Sequence, residues 1–212
     1  MMLTLYGHPI SSYTWKVLAA LYENNTPFEF VTLDQNTYPD FLAKWPLGTF
    51  PVLVDSDRKQ MVTETSVIIE YLDEYYPGRV RFVPKDFDIA LEVRRWDRLF
   101  DTVGTTMTKV VMDNVRPEGQ HDPVGVEDAK RAVRKIYTVI EAQLGDRTFI
   151  VGDDLTLADA SAAPALWYGT RNIPLDGGFP RIAAYLERLK SWPAFARAVR
   201  ESEPLFHMYP GA

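Results

Sequence analysis

The hydrophobic periodicity of this chain changes at Pro77-Gly78, and the change limits the folds open to it. Before that point short apolar runs alternate in type. Leu3-Thr4-Leu5-Tyr6 reads as a strand, Ser12 to Asn24 as a helix, Phe28 to Leu33 as a strand and Tyr38 to Lys44 as a short helical turn. Val52-Leu53-Val54 and Gln60-Met61-Val62 read as a hairpin around Asp55-Ser56-Asp57, with a helix from Thr65 to Tyr76 after it. A first strand joined to a second through a helix implies a parallel pair, and right-handed crossovers leave few alternatives.

Beyond Pro77-Gly78 the pattern is helical throughout. Ile89, Val93, Trp96, Phe100, Val103, Met107 and Val110 recur at steps of four and three, which predicts one apolar seam on a long helix. A second helix carries Val133, Ile136, Tyr137, Ile140 and Leu144, and Gly119 to Gly125 is expected to form a surface turn between the two. Thr156 with Asp159 three residues on fits a capping-box variant, Pro164 should kink that helix or end its first part, and further helices are expected over 181–190 and from Pro193. The fold class is therefore an α/β N-terminal domain of thioredoxin-like order (1–78), a linker (79–88) and an all-α C-terminal domain (89–212).

Composition excludes several functions. With 46% hydrophobic residues, no apolar stretch near ~18 residues and no signal-peptide pattern, the chain reads as a soluble, cytoplasmic protein that does not engage a membrane. Zero cysteines exclude disulfides, thiolate metal sites and a cysteine nucleophile. His8, His121 and His207 lie far apart without acid–His–acid spacing, so no metal is expected. Net charge is −6; residues 1–78 hold 4 Lys+Arg against 10 Asp+Glu, and residues 79–212 hold 19 of each. Nucleic acid needs basic stripes, so it is not an expected partner.

Two local features point to a ligand. Pro51 sits in the apolar run Thr49-Phe50-Pro51-Val52-Leu53-Val54; it cannot donate to a sheet ladder, so it belongs at a strand's start or edge, where a cis Phe50–Pro51 bond is expected. The backbone of Phe50 is then free for a ligand. Glu64-Thr65-Ser66 opens the next helix; Thr65 and Ser66 are N-cap candidates, and a helix start offers unsatisfied amides and a positive dipole end to a carboxylate.

The stretch Asn36 to Leu72 resembles the glutathione-binding half of the soluble glutathione transferases in order, spacing and residue type. The matching run is Trp45-Pro46-Leu47-Gly48-Thr49-Phe50-Pro51, followed by the acid–hydroxyl pair Glu64-Thr65. The resemblance implies that Phe50, flanked by Thr49 and Pro51, exchanges backbone hydrogen bonds with the cysteinyl unit of glutathione. Glu64 would meet the γ-glutamyl amine and Thr65 the γ-glutamyl carboxylate. A basic pair that approaches the glycyl carboxylate in phi-type sequences is replaced here by Asn36 and Thr37, with Lys44 the nearest other cation in sequence. Such proteins use glutathione as co-substrate without a metal, and the resemblance implies a homodimer.

A free thiol of pKa ~8.5 is mostly protonated at neutral pH, so an enzyme of this kind must favour the thiolate. A hydroxyl donating to sulfur at a helix N-terminus does this without a general base. Gly7-His8-Pro9 with Ser11 is similar to the phi-class opening, whose serine activates glutathione, and makes Ser11 the first candidate. Ser12 is the second, through its place in the zeta-like Ser11-Ser12-Tyr13 segment, and Tyr6 a third, as in the tyrosine-type transferases. Tyr13, Thr105, Met112, Trp167, Phe206 and Met208 are candidates to line an apolar pocket for the second substrate. The implied activity is conjugation of glutathione to an apolar electrophile, with peroxidase or dehalogenase variants. The alternative is a non-catalytic binding or scaffold protein of the same fold.

Overall fold

The computed structural model describes residues 2–211. Two compact units form, and their membership does not follow the chain in two blocks: of the described residues, the first comprises 2–83 and 193–206, the second 84–192 and 207–211.

In the first unit, β1 (Leu3–Gly7), α1 (Ser12–Glu23), β2 (Glu29–Thr32), α2 (Tyr38–Lys44), β3 (Val52–Asp55), β4 (Gln60–Val62) and α3 (Thr65–Tyr75) follow the expected order. The sheet runs β2-β1-β3-β4, with β1 parallel to β2 and the other two pairings antiparallel. The alternation that makes β1 a strand also buries Leu3 and Leu5 on one face of the sheet. Tyr6 points the other way and packs with Leu33, Phe41 and Val52, its ring stacked on Phe41 at 6.0 Å between centroids.

Helix α8 (Pro193–Ser202), at the far end of the sequence, packs on α1. The buried Trp15 ring meets Phe195 edge-on at 5.9 Å, and its Nε1–H donates to Ser202 Oγ at 2.8 Å. Residues 80–83 are held to α3 by Asp73, whose carboxylate accepts from the N–H groups of Phe82 (3.0 Å) and Val83 (2.7 Å), and Phe82 and Val83 are buried.

The second unit is helical: α4 (Phe87–Asp113), α5 (Pro123–Leu144), α6 (Leu157–Asn172) and α7 (Pro180–Lys190). The seam on α4 is buried from Val93 through Val110, but Ile89 is exposed, the first turn burying Ala90 in its place. Gly119 to Gly125 is only partly a turn. Pro123 occupies the first turn of α5, and Asp122 caps that helix by accepting from Gly125 N–H at 2.8 Å, drawing Gly125 into it. Helix α6 continues through Pro164 instead of ending there. Burial of nearly all its residues from Leu157 to Gly169 outweighs the one backbone hydrogen bond the proline removes. At its start the buried Asp159 carboxylate accepts from the Thr156 N–H and hydroxyl, each at 2.9 Å, and from Ile150 N–H and Tyr185 Oη.

Candidate functional site

Strand register gathers the sequence-predicted residues of the first unit at one end of the sheet. Val52 at the start of β3 lies opposite Tyr6, one residue before β1 ends, and Val62 at the end of β4 lies opposite Leu53. The turn into α1, the segment before β3 and the turn into α3 therefore leave the sheet together. Those turns carry Ser11 and Ser12, Thr49 to Pro51, and Glu64 to Ser66.

Ser11 is the N-cap of α1, its Oγ accepting from Thr14 N–H at 3.3 Å. A hydroxyl that accepts through a lone pair keeps its proton to donate, so the cap and a donor to an external anion are compatible. The loop before it is tied at several points. Ser11 N–H donates to His8 C=O (3.0 Å), and Pro9 C=O accepts from Trp15 Nε1–H and Ser202 Oγ–H. Burial lowers the His8 pKa, and Ile10 N–H donates to Nδ1 at 3.4 Å, which also favours the neutral ring. Gly7 permits close approach of α1, since a Cβ there would stand 2.8 Å from Thr14 Oγ1. Ser12 is the first residue of α1. Tyr6 packs against the cluster of Leu33, Phe41 and Val52.

The Phe50–Pro51 bond is cis and Pro51 precedes β3, leaving Phe50 outside the ladder. Gly48 turns the chain ahead of it at φ 66, with its N–H bonded to Trp45 C=O, and Trp45 Nε1–H donates to Thr49 Oγ1 at 2.9 Å.

The cap of α3 differs from expectation. Glu64, rather than Thr65 or Ser66, is the N-cap, because Ile68 N–H closes the first turn on Glu64 C=O at 2.8 Å. Glu64 holds φ 66 and ψ 119, a conformation sparsely populated for a non-glycine residue, and its side chain makes no capping bond. The first amides of an α-helix have no acceptor within the helix itself. Such strain costs about 1–3 kcal/mol and concentrates at ligand-holding positions.

Lys16 was not singled out by sequence reasoning. It is 1% exposed on α1, and its Nζ donates to Ser66 Oγ at 3.0 Å, bringing a positive charge to the start of α3 within an otherwise acidic segment. Its only signal was a lysine inside an apolar helical run, where lysine is rarely buried without partners. Asn36 and Thr37 serve the loop: Asp34 Oδ1 accepts both their N–H groups, at 2.7 and 3.0 Å, and Thr37 Oγ1 donates to Thr32 C=O. Lys44 is exposed at the end of α2.

The acceptor candidates divide between the two units, Tyr13 and Phe206 in the first and Thr105, Met112, Trp167 and Met208 in the second. Phe206 lies 5.9 Å from the Trp15 ring. Thr105 Oγ1 donates to Asp101 C=O along α4, Met112 and Met208 are about half exposed, and Trp167 is buried.

A four-stranded mixed sheet ending in two helix starts, with a helical unit following in sequence, defines the glutathione transferase architecture. The chain belongs to the glutathione S-transferase family: residues 5–80 match the family's N-terminal domain and residues 106–193 its C-terminal domain. It is 30% identical to glutathione S-transferase 3 of Zea mays, with 93% of each chain covered. It is 29% identical to a glutathione S-transferase of Arabidopsis thaliana, covering 90% of this chain and 95% of that one. A glutathione S-transferase crystal structure from Methylobacterium radiotolerans, in complex with glutathione sulfonate, superposes with a TM-score of 0.82 at 30% identity, covering 94% of this chain and 95% of that one. The protein is an enzyme of this family, a glutathione S-transferase. Among its described residues no helix is long and apolar enough to cross a membrane.

Proposed function

We propose that the first unit binds glutathione at the end of its sheet and that Ser11 holds the thiol as a thiolate for attack on an electrophilic second substrate. The observation that carries this reading is the register that brings two helix starts and the Phe50 backbone to one sheet end. The γ-glutamyl carboxylate takes the amides and Thr65 hydroxyl at the start of α3, with Lys16 supplying local positive charge that the unit as a whole lacks. The γ-glutamyl amine pairs with Glu64. Phe50, between Thr49 and Pro51, exchanges backbone hydrogen bonds with the cysteinyl unit. The sulfur then lies at the start of α1, where the Ser11 hydroxyl donates to it and the helix dipole favours its negative charge.

One charge-assisted hydrogen bond contributes roughly 1.5–3 kcal/mol, and each unit of thiol pKa needs about 1.4 kcal/mol, so Ser11 lowers the pKa by about one to two units. Conjugation to an apolar electrophile is the reaction this thiolate supports. The relatives support glutathione as the co-substrate, since the Methylobacterium structure holds glutathione sulfonate.

The test is a thiolate absorbance titration of the glutathione complex with Ser11→Ala and Ser11→Asp. Both should raise the bound thiol's pKa and lower conjugation at neutral pH by roughly 10- to 100-fold. Asp retains the helix cap and so separates lost donation from lost stability. Full activity in Ser11→Ala, with activity abolished in Ser12→Ala or Tyr6→Phe, overturns the assignment.

A further inference from the structure

The loop that leaves β2 carries charge of the wrong sign for the far end of glutathione. Sheet order sets where that end falls. From β4 across to β2, the turn into α3, the Phe50 segment, the turn into α1 and residues 33–37 leave the sheet side by side at one end. Thr32 lies opposite Gly7, and Leu33 N–H donates to Gly7 C=O at 2.9 Å, which brings the last of these into line. Glutathione with its γ-glutamyl group at α3, its cysteinyl unit on Phe50 and its sulfur at α1 has already crossed from β4 to β1. Strands stand ~4.8 Å apart and an extended residue spans ~3.5 Å, so the glycyl unit comes to the β2 side.

The loop there is closed on itself around a carboxylate. Asp34 N–H donates to Thr37 Oγ1 and Tyr38 N–H to Asp34 C=O, each at 2.9 Å, while Asp34 Oδ1 accepts from the N–H groups of Asn36 and Thr37. Amides that would suit an incoming carboxylate are held by one already present. The same bonds, from Asn36 first and then Thr37, hold the exposed Asp34 carboxyl below its ordinary range, so it is ionised at neutral pH. Asp40 adds a second acid in the first turn of α2. The cations stand elsewhere. Lys16, the only Lys or Arg in the sequence before Lys44, is buried beside Ser66 at the start of α3, and Lys44 is in the last turn of α2, away from the loop. Arg58 and Lys59 precede β4 at the opposite end of the sheet.

We propose that Asp34 is a specificity-determining residue that disfavours a free glycyl carboxylate, so that the preferred co-substrate is γ-glutamyl-cysteinyl-glycine capped at its C-terminus as an amide. This rests on the transferase reading above and narrows its co-substrate. The discrimination works by repulsion. The γ-glutamyl carboxylate meets a helix start and a lysine, whereas the glycyl end meets a fixed anion. Asp34 takes no part in forming the carbon–sulfur bond.

The experiment measures calorimetric Kd for glutathione and for its glycyl amide, at low and at high salt, in wild type, Asp34→Asn, Glu29→Gln and Lys44→Met. At low salt wild type should bind the amide roughly threefold to fivefold more tightly, the scale of two like charges a few ångströms apart in water. High salt should bring the ratio towards one, and that trend needs no variant. Asp34→Asn should abolish the preference by improving glutathione alone, since the amide oxygen still accepts from the loop. Glu29→Gln removes the same charge at the other end of β2 and should leave the preference intact. KM for conjugation of chlorodinitrobenzene should follow the affinities, with kcat unchanged. Equal wild-type affinities, a preference for glutathione that Lys44→Met removes, or equal effects of Asp34→Asn and Glu29→Gln each overturn the inference and leave the transferase reading standing. Binding of neither tripeptide overturns the transferase reading, and the inference with it.

Discussion

Glu64 has two properties that support the binding role proposed for it. It occupies a left-handed conformation that glycine adopts without cost, and it gives its own helix no side-chain cap. That strain at the start of α3 is in keeping with the γ-glutamyl contact proposed above for Glu64. Glu64→Gly should therefore stabilise the fold by about 1 kcal/mol in chemical denaturation, the strain relief offset in part by glycine's greater unfolded-state freedom. It should also weaken glutathione binding by calorimetry. A Glu64→Gly protein that is destabilised and binds glutathione as before contradicts this account. The pair Glu64-Thr65 was legible in the sequence as acid and hydroxyl at a helix start. Which of them would be the cap was not, because that depends on which carbonyl closes the first turn.

At the scale of elements, β3 and α3 are joined by Asp55. Its buried carboxylate accepts from Tyr71 Oη (2.7 Å), from Tyr76 Oη and from Arg58 N–H (3.0 Å). Burial pushes the Asp55 pKa up, but the hydrogen bonds from Tyr76, Tyr71 and the backbone outweigh it, and the net value lies below the ordinary carboxylate range. Burial and then the bond to Asp55 push both tyrosines up to about 12. The signs are opposite at the two ends of the pH scale. For Asp55 the folded pKa is depressed, so its contribution is present above the unfolded value of about 3.9 and is lost as pH falls through the folded one. For Tyr71 and Tyr76 the folded pKa is raised, so their contribution is present below about 10 and is lost as pH rises through about 12. Denaturation curves of Asp55→Asn should show reduced stability at neutral pH and a shallower loss at both extremes. An unchanged pH profile would contradict the network. Periodicity identified these strands and helices, yet the tie between them joins residues 16 and 21 positions apart.

For the molecule as a whole, the first unit is built from both ends of the chain. Trp15, buried on α1, meets Phe195 and Ser202 on α8, and Tyr22 on the same helix donates to Glu201 with Arg197 over its ring at 3.8 Å. A chain truncated after Trp192 should leave the outer face of α1 uncovered and release Pro9 from the Ser202 hydroxyl, loosening the loop that sets Ser11. The expected outcome is a lower unfolding midpoint, increased solvent quenching of tryptophan fluorescence and weaker glutathione binding. A truncated chain that keeps the midpoint and affinity of the full one would show that α8 adds nothing to the unit.

Local chemistry was enough to determine the kinds of element, their order, the cis proline ahead of β3 and a helix start near Ser11 and near Glu64-Thr65-Ser66, though not which of those last residues caps it, because strand alternation, helical period and turn residues act over a few positions. The tertiary structure decided the partner of Lys16, the passage of α6 through Pro164 and the attachment of α8 to α1. All three depend on which distant surfaces come together.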